Sequence, residues 1–181
     1  YLRLYETYES EFNSVFNCSN PDAPCCYVVI ASNKGMCGAF NTELLSYFSS
    51  IYDSGIILSC GKKATEYFER KSVAAEKSFV FDDIPSYEQV KELFEYIRTL
   101  MESGKISSVK TVYPQYVNMI KQSPVIKDLF SYNENKKEGE EPVFVPDRET
   151  VIKNTAEKIF LSVLYKRVLE TALGAQAATL T

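Results

Sequence analysis

The residues of this chain best placed to do chemistry run from 32 to 41, Ser-Asn-Lys-Gly-Met-Cys-Gly-Ala-Phe-Asn. They follow an apolar run, Cys-Cys-Tyr-Val-Val-Ile-Ala (25–31), and lead into a helical pattern. A strand entering, a helix leaving and glycines exposing backbone N–H groups between them is the arrangement of a phosphate loop. Lys34 would add a positive charge. The segment contains neither GxGxxG nor GK[ST], however, and Gly35 and Gly38 serve a tight turn and close helix–strand packing equally well. Cys37 stands near the start of the following helix, where a thiolate is stabilised. A nucleophilic thiol needs a base, and the chain has no histidine. Gly61-Lys62-Lys63 is a second anion-site candidate that reads as readily as a solvated turn. Asp82-Asp83 lies beside a turn with no partner to raise either carboxyl. The 13 tyrosines fall mostly at amphipathic positions, as interface anchors or core residues. No nucleophile, base and oxyanion donor come together. The expectation is therefore no catalytic site, no cofactor and no metal.

The elements that must position these residues follow from periodicity. Tyr1, Tyr5, Tyr8, Phe12 and Val15 recur at heptad spacing, so 1–16 reads as an amphipathic helix. A turn-rich linker with two prolines follows to Pro24. Strands are expected at 25–31, 56–59, 77–81 and 142–146. A helix capped by Asn41 or Thr42 should run through Leu44, Leu45, Phe48 and Ile51, and another over 62–71. Ser86 and Gln89 form a capping-box pair ahead of the stripe Val90, Leu93, Phe94, Ile97 and Leu100, closed by Gly104. Residues 106–113 and 115–121, on either side of Pro114, read as one long bent strand or two antiparallel strands, and 124–131 as a short helix. The charged stretch 133–141 is a surface loop.

The last segment, 147–181, reads as one long helix with Asp147 as its N-cap and only Gly174 weakening it. At 1.5 Å per residue it reaches roughly 50 Å, more than the width of a domain this size, so part of it should project. Its end is rich in small residues, Ala172, Gly174, Ala175, Ala177 and Ala178. Two arrangements fit both terminal helices: an antiparallel coiled coil leaving one side of the domain, or two helices packed on the sheet. The organisation is α/β: a partial helix 1–16, a globular domain 25–146 and a partial helix 147–181.

Of the 181 residues, 45% are hydrophobic and 24% charged, an ordinary globular composition. A net charge of −4 supplies no bulk positive field, so nucleic acid is not an expected partner. No apolar run is long enough to cross a bilayer. Cys18, Cys25, Cys26, Cys37 and Cys60 are odd in number and lack a CxxC pair, which suits free thiols in a reducing compartment. The chain starts at Tyr1 inside a helical pattern and stops at Thr181 without a stop signal, so it is read as part of a longer chain.

SNKGMCGAFN after an apolar strand resembles the S-D-R-G-L-C-G-G-x-N segment of F-type ATP synthase gamma subunits. IILSCGKKATEYF, VKTVYPQYVNMIKQSPVIKDLF, FVPDRETVI and GAQAATLT resemble further segments of that family in the family's order. The resemblance implies a Rossmann-like three-layer domain whose terminal helices form an antiparallel coiled coil. It implies a central-stalk rotor subunit that couples ion flow through a membrane ring to ATP synthesis or hydrolysis, and that has no catalytic site of its own. The implied partners are the alpha and beta subunits, an epsilon-type subunit and the c ring, at the cytoplasmic face of a bacterial inner membrane and without membrane insertion. On this reading Lys34, Gly35, Cys37, Gly38 and Asn41 shape the motif loop. Tyr5, Tyr8, Phe12, Val168, Ala172 and Ala175 form the shaft face. Asn33 and Lys34 depart from the family's Asp and Arg, and Gln176 and Thr179 depart from its usual residues near the helix end. The competing reading is a small α/β nucleotide- or phosphate-binding domain using 32–38.

Overall fold

The structure, a computed structural model, describes residues 18–35, 39–118, 120–131 and 146–180. Its elements are β1 (Cys25–Ile30), α1 (Phe40–Ile51), β2 (Ile56–Cys60), α2 (Lys62–Arg70), β3 (Lys77–Phe79), α3 (Tyr87–Glu102), β4 (Ser108–Tyr116), β5 (Gln122–Ser131) and α4 (Pro146–Leu180). The strands form one sheet in the order β3-β2-β1-β4-β5. The first four are parallel, and β5 joins β4 antiparallel. The fold is α/β, with helices on both faces.

Burial on both faces explains why β1 reads as unbroken apolar sequence. On one face Val29, Ile57 and Val112 meet Leu44, Phe48, Ala64 and Phe68 of α1 and α2. On the other, Cys26, Val28, Leu58 and Val109 meet Val90, Leu93 and Ile97 of α3 and Ala156, Phe160 and Leu164 of α4. The strand order reverses at β1. The crossover through α3 carries the chain from β3 past β2 and β1 to β4, leaving a crevice at the carboxyl ends of β1 and β4.

The expected cap of α3 is present. Ser86 Oγ accepts from the Gln89 N–H at 3.3 Å, and Gln89 Oε1 accepts from the Ser86 N–H at 3.1 Å. Gly104, at φ 76°, ends that helix region.

Several expectations need correction. Residues 124–131 are strand, not helix. Lys110 pairs with Asp128 and Val109 with Phe130, so Leu129 is an extra residue in β5. This bulge turns both Leu129 and Phe130 into the core, which gives the sequence a helix-like apolar spacing. Pro114 does not divide two strands. β4 runs through it, because β1 pairs β4 only as far as Val112 and no ladder bond from Pro114 to that side is needed. The strand expected over 115–121 gives way to a turn after Tyr116, closed by the Val117 N–H on the Lys121 carbonyl. α1 starts at Phe40 behind Ala39, which offers no side-chain cap. α4 starts at Pro146, where a missing N–H costs nothing, one residue ahead of the expected boundary. The expected helix 1–16, loop 133–141 and residues 142–145 of the last strand lie outside the described residues.

Most of α4 lies on the domain instead of projecting from it. Ala156, Ile159, Phe160, Leu164, Val168, Thr171 and Ala175 are buried, while the turns around Val151 and Leu180 are exposed.

Candidate functional site

The crevice at the carboxyl ends of β1 and β4 is where an open α/β sheet ordinarily receives a ligand, and the 32–41 segment leads into it. Its described ends, 32–35 and 39–41, are tied to each other. The Ser32 N–H donates to Asn41 Oδ1 at 3.0 Å. Asn41 Nδ2 donates to Ser32 Oγ at 2.9 Å and to the Lys34 carbonyl at 3.1 Å. Asn41, expected as a helix cap, is thus a buried clamp that closes the loop on itself. Asn33 ties the loop to its neighbours. Its Nδ2 donates to the Phe81 carbonyl, and its Oδ1 accepts from the Lys62 N–H at 3.0 Å. Lys62 opens α2, so Asn33 satisfies one of that helix's unpaired N–H groups from outside. An aspartate there could accept the same bond but could not donate to Phe81.

A phosphate loop needs N–H groups aimed at an open space. Here the Ser32 N–H points at Asn41, and the space is filled. Beside it, beyond the carboxyl ends of β1, β2 and β3, Ser32, Asn33, Lys34, Gly61, Asp82 and Asp83 are among the residues lining a cavity that Val168, Thr171, Ala172 and Ala175 of α4 close from the other side. Its volume is about 20 Å³, close to that of one water. The carboxylates of Asp82 and Asp83 on the rim oppose an anion. Gly61 shows how tightly the layers meet. It sits at φ 89°, and a Cβ there would stand 2.0 Å from the Ala31 carbonyl oxygen. Gly35 has no such constraint, since a Cβ would meet only the flexible end of Lys63 at 3.3 Å.

The structure gathers Lys34, Val168, Ala172 and Ala175 around one cavity and sets Asn41 behind the loop. Cys37, Gly38, Tyr5, Tyr8 and Phe12 lie outside the described residues. Val168 and Ala175, expected on a shaft face, instead touch the domain: Val168 belongs to the main core and Ala175 packs on Phe40. The cause is the small side chains at this end of α4, which let it close on the crevice and on α1. Gly174 continues that contact, since a Cβ there would lie 3.3 Å from the Phe40 ring and 3.5 Å from Gln122. Composition signalled a close helix contact here but not that the chain's own domain makes it.

The other flank of α4 is open. A groove of about 590 Å³ runs beside it, floored by Tyr113, Gln115 and Lys127 and walled by Val163, Leu173 and Ala177 among others. Leu173 is 49% exposed. Nothing in the periodicity of β4 and β5 announced this groove.

Burial works against thiolate formation at three of the described cysteines. Cys26 and Cys60 are fully buried, and burial pushes both thiols far above their ordinary value. Cys25 is raised as well, chiefly by burial, against a lowering hydrogen bond from Ser108. Among the described residues no three acidic or thiol side chains converge to hold a metal ion, and no helix is long and apolar enough to cross a membrane.

A family model described as ATP synthase matches residues 3–181. An ATP synthase gamma chain of Clostridium botulinum is 26% identical over 175 residues, covering 94% of this chain and 62% of that protein. One of Desulfitobacterium hafniense is 27% identical over 162 residues, covering 86% and 57%. The chain thus spans less than two thirds of the curated relatives it matches. Its fold is similar to a chain of the Euglena gracilis mitochondrial ATP synthase OSCP/F1/c-ring assembly, with TM-score 0.67, 19% identity, and coverage of 86% of this chain and 58% of that one. It is also similar to a chain of the Tetrahymena thermophila mitochondrial ATP synthase central stalk and c ring, with TM-score 0.66, 17% identity, and coverage of 96% and 90%.

Proposed function

The chain belongs to the ATP synthase gamma-chain family, and on that premise we propose that it forms the globular part and adjoining shaft helix of a central-stalk rotor subunit. The observation that carries this over the nucleotide-binding reading is the filled crevice. Thr171, Ala172 and Ala175 of α4 close the space beside residues 32–34 at the carboxyl ends of β1, β2 and β3 and leave about 20 Å³. A nucleotide pocket needs on the order of 300 Å³ or more. The fold uses its ligand site as a socket for its own helix.

In this role the chain is a non-catalytic subunit of a proton-translocating ATPase. Its proposed partners are the alpha and beta subunits, an epsilon-type subunit and the c ring, in a peripheral position at the cytoplasmic face of a bacterial inner membrane. The related structures, chains of an F1/c-ring assembly and of a central stalk with its c ring, support that set. We read the domain as Rossmann-like, with 1–16 and 147–181 as parts of an antiparallel coiled coil around the domain 25–146. The open groove beside α4, with Val163, Leu173 and Ala177 on the helix side, supports a second helix there. The shaft face then includes Tyr5, Tyr8 and Phe12 on one helix and these outward residues on the other, with Ala172 at its margin. Lys34, Gly35, Cys37, Gly38 and Asn41 serve loop closure.

Calorimetry tests the reading. The chain should bind an epsilon-type subunit and give no heat with ATP. Micromolar ATP binding that Gly35→Ala abolishes would overturn it in favour of the 32–38 loop.

A further inference from the structure

α4 carries apolar residues on more than one face. Ile159, Phe160, Leu164 and Val168 are buried, while Val163 and Leu169 are half-buried and Leu173 is half-exposed. Toward its end the contact face is Ala172, Gly174 and Ala175, which touch the domain closely but carry no large side chain to lock one rotation. Apolar burial holds the helix on the sheet, and with further apolar residues beside that face its rotation is not fixed by hydrophobicity alone.

Polar contacts on both flanks supply what packing lacks. On one flank, Glu157 Oε1 accepts from Arg98 Nη1 of α3 at 3.0 Å, and Glu95 holds the other arm of that guanidinium. On the opposite flank, Arg167 Nη1 donates to Thr111 Oγ1 of β4 at 2.7 Å and to the Asp128 carbonyl of β5 at 3.2 Å. Its guanidinium lies 5.7 Å from the centre of the Tyr113 ring. Further along, Glu170 Oε1 accepts the Tyr116 N–H at 2.8 Å, just where β4 leaves its ladder. The contacts span 157 to 170, roughly 20 Å of helix. Each has a charged partner, so each is stronger and more directional than a neutral hydrogen bond. Rolling α4 toward α3 breaks the Arg167 and Glu170 contacts. Rolling it the other way breaks the Glu157 contact. Polar groups that fix register at the boundary of an apolar contact are the best-attested use of such pairs.

We propose that Glu157, Arg167 and Glu170 are positioning residues that set the roll of α4 on its sheet, and so the angular phase between the domain and the shaft in the full-length subunit. The use of that phase in coupling rests on the rotor reading above. The latch itself does not.

Spin labels on Lys91→Cys of α3 and Ser162→Cys of α4, with Cys18, Cys25 and Cys37 replaced by serine, report the roll as a distance distribution. Arg167→Met should broaden and shift it, and Arg167→Lys, which keeps the charge and a donor, should restore the original mean. Glu170→Ala sits at a half-exposed site and should broaden it less, so it carries the test if Arg167→Met fails to fold. Unchanged distributions in the folded variants would overturn the latch. The same substitutions then go into the full-length subunit assembled with its catalytic hexamer and membrane ring. Loss of ATP-driven proton pumping at retained hydrolysis, recovered by Arg167→Lys, supports the role in coupling. A broadened distribution with undiminished pumping would uphold the latch and overturn that role.

Discussion

The two flanks of α4 differ in what they leave open. Toward β1 and α1 the helix closes on the domain until about 20 Å³ remains. Toward β5 it leaves a groove of about 590 Å³ and an exposed Leu173. The closed flank is self-sufficient: Gly61, Gly174, Asn33, Asn41 and Ala175 each meet partners within the domain. The open flank carries apolar surface that the other described residues do not cover. Surface of that kind, contiguous and next to a groove, points to a partner, whereas a closed crevice points to stiffness. A subunit that transmits force needs both, and the difference assigns one property to each side of a single helix.

The largest effect should come from the closed flank. Gly61→Ala puts a Cβ 2.0 Å from the Ala31 carbonyl at a backbone angle that L-residues avoid. The layers must part to admit it, with a loss of about 4 kcal/mol or more in urea unfolding. A loss under about 1 kcal/mol would mean that the β1 and β2 ends are not rigidly apposed. Leu164→Ala, fully buried where α4 crosses the sheet, should cost about 3 kcal/mol. If it cost as little as an exposed position, α4 would not be seated as described.

This contrast also explains what could be read from the residues. α3 was legible because its signals are local: Ser86 and Gln89 satisfy each other, and five apolar residues share one face. The alternation of the four parallel strands with the three helices that join them was legible for the same reason. β5 was not, because the extra Leu129 shifts the alternation, and only pairing with β4 makes sense of the result. Asn41 read as a cap because a short polar residue ahead of an apolar stripe usually is one. Its actual bonds go back to Ser32 and Lys34, which requires the loop to fold first. Val168 and Ala175 carried the helical period of a shaft face, but periodicity gives a face without saying what covers it. The 32–38 loop has the grammar of an anion site, and only the position of α4 shows how little space is left beside residues 32–34.

Sealing by α3 and α4 has a signature in alkali. Cys26 and Cys60 stay protonated in the folded chain, since burial raises both thiols, while in the unfolded chain they ionise from about pH 9. Above that pH the unfolded state binds fewer protons, so stability falls as pH rises. Each thiol should contribute up to about 1.4 kcal/mol per pH unit to that slope. Cys60→Ala should make the slope shallower than in the parent chain between about pH 9 and 11, measured by urea unfolding. An unchanged slope would show that this face admits water.

The smallest effect on stability should come from the open flank, where it is also the most informative. Leu173→Ala removes a half-exposed side chain that closes no cavity of the domain, so the stability of the chain should change by less than about 0.5 kcal/mol. In the full-length subunit the same residue faces the proposed second helix, and truncating it should weaken that pairing. Oxidative cross-linking between Tyr8→Cys and Ala177→Cys, compared with and without Leu173→Ala, reads this directly. A cross-link that forms and is slowed by the substitution places the N-terminal seam in the groove. If stability drops by several kcal/mol while cross-linking is unaffected, Leu173 belongs to the domain and the asymmetry between the two flanks of α4 disappears.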